Sequence, residues 1–417
     1  MSIEKDVRNF LEGISENCKK YFKCSTNKNA IGYKAGEEMV FTLKVVADGK
    51  DVPVPYINVK CEGDDGKKSE DIISANEDST FTVKTSCDRD GFVRVIATAL
   101  DEKKTVIESI DKFEGGAGAD VDKIKLCTTI PEDYFEFWEN LKNEAKAFPK
   151  KVLYEKVVED NENYTVTDYR FETKIGKFLS LITCVPKNAK PGTLKFNMYF
   201  LGYGVTTVRP TYIPDAMTVS VNSHAIDNFL TPEEYVEIKA KYYQGYGFKA
   251  DENQSPETCY WYQLFFRDLQ AFFIFKDHEL LNKKEYNFIG GSQGAMQACH
   301  MALHSGYATE CYLNVAWCCD LWAIEKEKRM RGWRPDISNA MNYFDTALAA
   351  SYLKCPVYIE AGLGDYVCPP SGQAAMYNAI TAPKMLRFIQ NQTHPYRPPV
   401  RETFELIDGY NNINFHF

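Results

Sequence analysis

The segment YNFIGGSQGAMQACHMALHSG, residues 286–306, constrains this chain more than any other. It joins a short apolar run ending at Gly290 to a stretch able to carry a helix as far as Gly306, with Gly-x-Ser-x-Gly at the joint. A strand, a tight turn and a helix form the setting in which this motif exposes a serine hydroxyl. On so sharp a turn the positions two before and two after the serine approach the adjoining helix and strand, so Gly290 and Gly294 omit side chains that would clash. The bare pattern is weak, since chance supplies it in about one chain in ten of this length at average glycine and serine usage. Its setting carries the reading. Ser292 is predicted to be a nucleophile, and the same turn aims the backbone N–H of Gln293 at the place where an oxyanion would form.

A nucleophilic serine needs a base, and around such a turn the acid and the histidine follow the serine in chain order. Four histidines lie downstream: His300, His304, His394 and His416. The helix after the turn carries His300 and His304 away from its start, so they read as packed or partly exposed helix residues. Their i, i+4 spacing is half of a zinc site, but Met301 stands where H-E-x-x-H has its glutamate, and no third ligand offers itself. His416 is next to last in the chain. His394, in the loop QNQTHPYRPP directly after an apolar strand, is the predicted base. Asp365, in the glycine-bounded loop AGLGDYVCPP, is the predicted acid, and Asp320 in AWCCDLW is its competitor. The second oxyanion donor belongs on a loop after an early strand, which points to the N–H of Tyr203 in KFNMYFLGYG. An ordinary surface turn is the plain alternative for each of these loops.

The rest of the chain supplies a frame for that site. Apolar runs such as TLKFNMYFL, MTVSV, YNFIG, CYLNVAW, CPVYIEAG and MLRFIQ alternate with helical stretches such as PETCYWYQLFFRDLQAFFIFKDHELL. That alternation predicts an α/β fold with a mostly parallel sheet covered on both faces, over residues 116–417. Ahead of it, from about Ile31 to Ile110, the apolar period is two, as in EMVFTLKVV and GFVRVIATAL, which predicts a small antiparallel sandwich over residues 26–115. FEGGAGADVDK reads as a glycine-rich connector between the two. Val7, Phe10, Leu11, Ile14, Cys18, Tyr21 and Phe22 fall at helical spacing and predict one helix within residues 1–25.

Composition excludes several other roles. A formal charge of -9 with no basic cluster beside aromatic residues argues against nucleic acid or an anionic membrane as partner. The thirteen cysteines are odd in number and scattered without C-x-x-C, which fits neither a disulfide ladder nor a zinc site and favours a reducing compartment. Acidic residues interrupt the N-terminus where a signal peptide needs its apolar core, so a cytoplasmic location is expected, or secretion if a leader has been removed. The Asn-x-Ser/Thr triplets at Asn163, Asn253 and Asn391 then read as chance.

GGSQGA, GLGDYVCPPSGQAAMYNAI, the tyrosine in FLGYG and the histidine loop NQTHPY together resemble the acetyl xylan esterase / cephalosporin C deacetylase family, carbohydrate esterase family seven. PEDYFEFWENLKNEA is similar to that family's lead-in helix, and the leading sandwich looks like the immunoglobulin-like module ahead of some members. The resemblance implies an α/β-hydrolase that removes acetyl groups from sugars or similar small esters, with Ser292, Asp365 and His394 as triad and the N–H groups of Tyr203 and Gln293 as oxyanion hole. It implies no metal or organic cofactor, and a homo-oligomer. A peptidase of the same fold and an inactive carbohydrate-binding protein are the rival readings. The chain departs from the family in three places. VSVNSHAID stands where Arg-Gly-Gln is usual, Pro395 follows the histidine in place of Glu, and Ala295 replaces the last glycine of the elbow. The first brings His224 near the expected pocket, where it either lines the acyl or leaving-group side or, more simply, holds its loop by a hydrogen bond. Trp333 in RGWRP reads as a sugar-stacking wall or, as the plainer choice for a lone tryptophan, as core.

Overall fold

Period-two burial marks the strands Met39–Ala47, Tyr56–Gly63, Phe81–Thr85 and Gly91–Leu100 among the first eight of the structure, a computed structural model that describes residues 20–409. One sheet pairs β1 (Lys20–Thr26), β2 (Met39–Ala47), β3 (Lys50–Asp51) and β6 (Phe81–Thr85); the other runs β5 (Lys68–Ser74), β4 (Tyr56–Gly63), β7 (Gly91–Leu100), β8 (Phe113–Ala119). In β2, Met39, Phe41, Leu43 and Val45 are buried while Thr42 between them is exposed, the alternation of a strand with one face on a core. All pairings within the two sheets are antiparallel.

Two expectations need correction here. The segment FEGGAGA is strand β8, paired along its length with β7 and buried at every residue. Its glycines mark close approach: a Cβ on Gly116 would run into the Val93 carbonyl. The boundaries expected after residues 25 and 115 therefore fall inside β1 and β8. The helix expected near the N-terminus lies mostly outside the described residues, and its last positions, Tyr21 and Phe22, belong to β1.

Ten further strands form one sheet, in the order β18 (Thr403–Asp408), β17 (Lys384–Ile389), β16 (Val357–Gly362), β15 (Glu310–Asn314), β14 (Leu281–Gly291), β12 (Leu194–Phe200), β13 (Ala216–Val221), β11 (Leu179–Pro186), β10 (Tyr164–Phe171), β9 (Val152–Asp160). The six strands from β17 through β13 are parallel to one another, and the outer strands at both edges are antiparallel. Every residue of β13 is buried, as a strand covered on both faces requires. This is the α/β-hydrolase architecture expected from the alternation of strands and helices.

The longest helices among the described residues are α1 (Tyr134–Ala147), α2 (Tyr260–Phe275), α3 (Gln293–Ser305) and α4 (Pro370–Ala379). On α1, Tyr134, Phe137, Trp138 and Leu141 form the buried stripe that the sequence spacing predicts. No helix among the described residues is long and apolar enough to cross a membrane. Tyr203, Ser292, Asp365 and His394 follow β12, β14, β16 and β17 respectively, so all four lie off the C-terminal edge of the parallel strands, where such sheets place their ligands.

Candidate active site

Ser292 sits between β14 and α3 at φ 57, ψ -122, a conformation that non-glycine residues seldom adopt. The strain is held by hydrogen bonds: the Ser292 N–H donates to the Asn314 carbonyl at 2.9 Å, and the Ser292 carbonyl accepts from Ala295 N at 3.0 Å and Trp317 N at 3.2 Å. Both flanking glycines are sterically required. A Cβ on Gly290 would run into the Gly294 carbonyl, and one on Gly294 into the Phe200 carbonyl.

Three side chains then form a line. His394 Nε2 lies 2.9 Å from Ser292 Oγ, and His394 Nδ1 lies 2.8 Å from Asp365 Oδ2. The other carboxylate oxygen of Asp365 accepts from the N–H groups of Val367 at 3.0 Å and Cys368 at 2.9 Å, which fixes the acid in its loop. The Asp365 side chain is 0% exposed and that of His394 24%, so the line runs from buried acid to open serine. Cys368 completes the surroundings. Its thiol is pushed up by burial and then by the Asp365 charge, which keeps it protonated beside Ser292. The donor atoms of Asp365, Cys368 and His394 lie within 4.8 Å of one another, but the Asp–His hydrogen bond already occupies two of the three.

The loop after β12 runs along the other side of the elbow. A Cβ on Gly202 would stand 3.6 Å from the Gly291 carbonyl oxygen and from Ser292 Cβ, which puts the Tyr203 backbone beside the nucleophile. Behind this loop lies a buried polar cluster with no clear signal in the sequence. Tyr246 Oη accepts from Gly204 N at 3.0 Å and donates to Gln293 Oε1 at 2.8 Å, tying the loop to the first residue of α3. Gln293 Nε2 donates to Ser223 Oγ and Gln297 Oε1, both at 3.2 Å, and Gln297 Nε2 donates to Asp268 Oδ2 at 2.8 Å. Full burial raises Asp268 to about 7.

His224 belongs to this cluster and does not line a pocket. It is 0% exposed, with Nε2 on the Gly204 carbonyl at 2.9 Å and Nδ1 on Tyr260 Oη at 2.5 Å. A carbonyl only accepts, so Nε2 carries the proton and Nδ1 accepts from the tyrosine. Burial takes His224 down to about 3 and keeps it neutral. The pocket-lining alternative for His224 is thereby overturned: substrate cannot reach it.

Trp333 is corrected in the opposite direction. It is 42% exposed, not core, and its ring stands edge-on to Tyr203 at 4.7 Å and near Phe248 at 4.4 Å. Its backbone N–H donates to the Val367 carbonyl at 3.0 Å, fastening it to the acid loop. Asp320, the rival acid, is buried, and its Oδ1 accepts from the N–H groups of Cys127 at 2.8 Å and Thr128 at 2.9 Å. His300 and His304 stack on Trp138 inside the fold, at 4.9 and 4.0 Å between ring centroids. His416 lies outside the described residues.

The family described as acetyl xylan esterase (AXE1) matches residues 120–406. The chain belongs to that family. It is 26% identical over 281 residues to the acetyl esterase Axe7A of Xylanibacter ruminicola, a match covering 63% of each chain, so it spans about 63% of that relative's length. Among solved structures it is similar to an acetyl xylan esterase from Paenibacillus sp. R4, with TM-score 0.52, 19% identity, 66% of this chain and 93% of the other. It is also similar to acetyl xylan esterase 1 from Thermoanaerobacterium sp. JW/SL YS485, with TM-score 0.51, 18% identity, 67% of this chain and 92% of the other. At these identities the structural likeness speaks for the fold, and family membership rests on the match over residues 120–406.

Proposed function

We propose that the chain is a serine carboxylic ester hydrolase that removes acetyl groups from acetylated xylan or xylo-oligosaccharides. The observation that carries this reading is the unbroken line from Asp365 through His394 to Ser292 on a strained elbow, in a chain of the acetyl xylan esterase family. Ser292 Oγ attacks the acetyl carbonyl while His394 Nε2 takes its proton, with Asp365 holding the imidazole by Nδ1. The N–H groups of Gln293 and Tyr203 receive the oxyanion. As the tetrahedral intermediate collapses, the C–O bond to the sugar breaks and His394 returns the proton to the leaving oxygen. Water, deprotonated by His394, then attacks the acetyl-serine and releases acetate and the free serine. Trp333, exposed beside the Tyr203 loop, offers a face on which a sugar ring can stack.

Hydrolysis of 4-nitrophenyl acetate, butyrate and octanoate, followed by acetylated xylo-oligosaccharides, tests the reading. Acetate is expected to be preferred and acetate release from the oligosaccharides to be catalytic. Trp333→Ala is expected to raise KM for the oligosaccharides several-fold and to leave 4-nitrophenyl acetate hydrolysis nearly unchanged. Preference for octanoate, or no release from the sugars, would contradict the proposed substrate.

A further inference from the structure

Strand β8 touches both loops that complete the triad. In the histidine loop, Gln390 donates from Nε2 to the Gly116 carbonyl and accepts at Oε1 from the Gly116 N–H, both at 2.9 Å, pairing with one residue's backbone as a neighbouring strand would. The following residue, Asn391, stands at φ 56, accepts from Glu114 N at 3.0 Å and donates to the Phe22 carbonyl of β1 at 3.3 Å. Both side chains are buried, so each bond is made away from competing water. In the acid loop, Gly364 lies so close to β8 that a Cβ there would run into the Glu114 carbonyl, and the Arg94 guanidinium of β7 lies 4.6 Å over the ring of Tyr366. The two loops are also bonded to each other, Leu363 N to the Ile389 carbonyl at 2.9 Å and Gly364 N to the Gln392 carbonyl at 3.0 Å.

Contacts from the sandwich continue along the edge of the site. Asp64 Oδ1 accepts from Met330 N at 3.0 Å, and Arg329 donates to Asp90 through both terminal nitrogens, at 2.9 Å to its carbonyl and 2.7 Å to its carboxylate. These residues lead directly into the segment that carries Trp333.

We propose that the β-sandwich is a positioning element of the triad, and that Gln390, clamped on Gly116, is the positioning residue through which β8 sets His394 against Ser292. The inference rests on the reading of Ser292, His394 and Asp365 as the triad. It gives the sandwich a role inside the reaction. A displacement of about 1 Å in a loop that must deliver Nε2 to Oγ is enough to slow chemistry by about 100-fold without touching substrate.

The test compares Gln390→Ala and the volume-conserving Gln390→Met with Asn378→Ala in the full chain. Asn378 Nδ2 bonds the carbonyls of Val121 and Ile124 just beyond β8, away from both loops, and so controls for lost stability alone. For the Gln390 variants, kcat on 4-nitrophenyl acetate is expected to fall tenfold or more with KM within twofold of wild type. Labelling of Ser292 by an organophosphonate should slow in parallel, while Asn378→Ala keeps the wild-type kcat. Should Gln390→Ala fail to fold, Gln390→Met supplies the same comparison. Wild-type kcat and labelling rate in folded Gln390 variants would overturn the positioning role and leave the triad standing. Wild-type protein that is not labelled at Ser292 would instead remove the triad assignment itself.

Discussion

The loops that carry His394 and Tyr203 flank the same serine, and an imidazole serves each in a different way. His224, behind the Tyr203 loop, is fully buried, has no carboxylate partner, and stays neutral between the Gly204 carbonyl and the Tyr260 hydroxyl. It works as a fixed spacer. His394 keeps 24% of its side chain exposed, holds a buried carboxylate on one nitrogen and presents the other to Ser292. Burial alone makes an imidazole structural; access to solvent together with an oriented acid makes it usable for proton transfer. The surroundings follow the same division, with hydroxyls and amides behind the Tyr203 loop and the backbone of the sandwich behind the histidine loop.

The comparison breaks most visibly at Asp365. Asp365→Asn keeps the shape but turns the imidazole to the wrong tautomer, and kcat is expected to fall by about 10⁴-fold. Steady-state hydrolysis of 4-nitrophenyl acetate measures it, and a loss under tenfold would mean that the acid does not orient His394. On the oxyanion side the effects should be smaller. Tyr246→Phe removes the hydroxyl that joins Gly204 to Gln293 and strands the buried Gln293 amide oxygen and the half-buried Gly204 N–H, at a cost of about 1–3 kcal/mol. Its kcat is expected to drop by about tenfold, with KM little changed; an unaltered kcat would detach the cluster from the reaction.

The smallest effect is on stability. Asp268 sits at about 7 when folded, above its ordinary carboxylate value, so between pH 4 and 7 the folded chain holds a proton that the unfolded chain has released. Stability on its account is therefore lost as pH rises through that window. Asp268→Asn keeps a side-chain oxygen as acceptor for Gln297 and removes the charge, so at pH 8 the variant is expected to be more stable than wild type by more than about 1 kcal/mol. Urea unfolding at pH 5 and pH 8 checks this, since the advantage should shrink at the lower pH; a variant less stable at pH 8 would contradict it.

What could be read from the sequence was whatever is written in local periodicity. Strand β7 alternates, α1 carries its aromatic stripe, and the elbow needs its glycines within five consecutive residues, so each is visible in a short window. Segment 113–119 is not, because three glycines and two alanines leave no apolar pattern, although their small size is what lets β8 approach Gln390 and the acid loop. The edge strand β18 alternates only between half-buried and exposed positions and gives little contrast. Tyr246 reaches Gln293 only through tertiary folding, and nothing near either residue announces the other. Trp333 in RGWRP carries no local mark of exposure, so a lone tryptophan reads as core and stands at the surface. Asn391, in a triplet that could accept glycan, is buried against β1 and β8.

The central claim is that Ser292 is the nucleophile of an esterase. Intact-mass analysis after treatment with an organophosphonate, alongside 4-nitrophenyl acetate hydrolysis, tests it most directly in wild type and Ser292→Ala. A single adduct on Ser292 that forms as activity disappears, with neither adduct nor activity in the variant, is the predicted result. Undiminished hydrolysis by Ser292→Ala would contradict it.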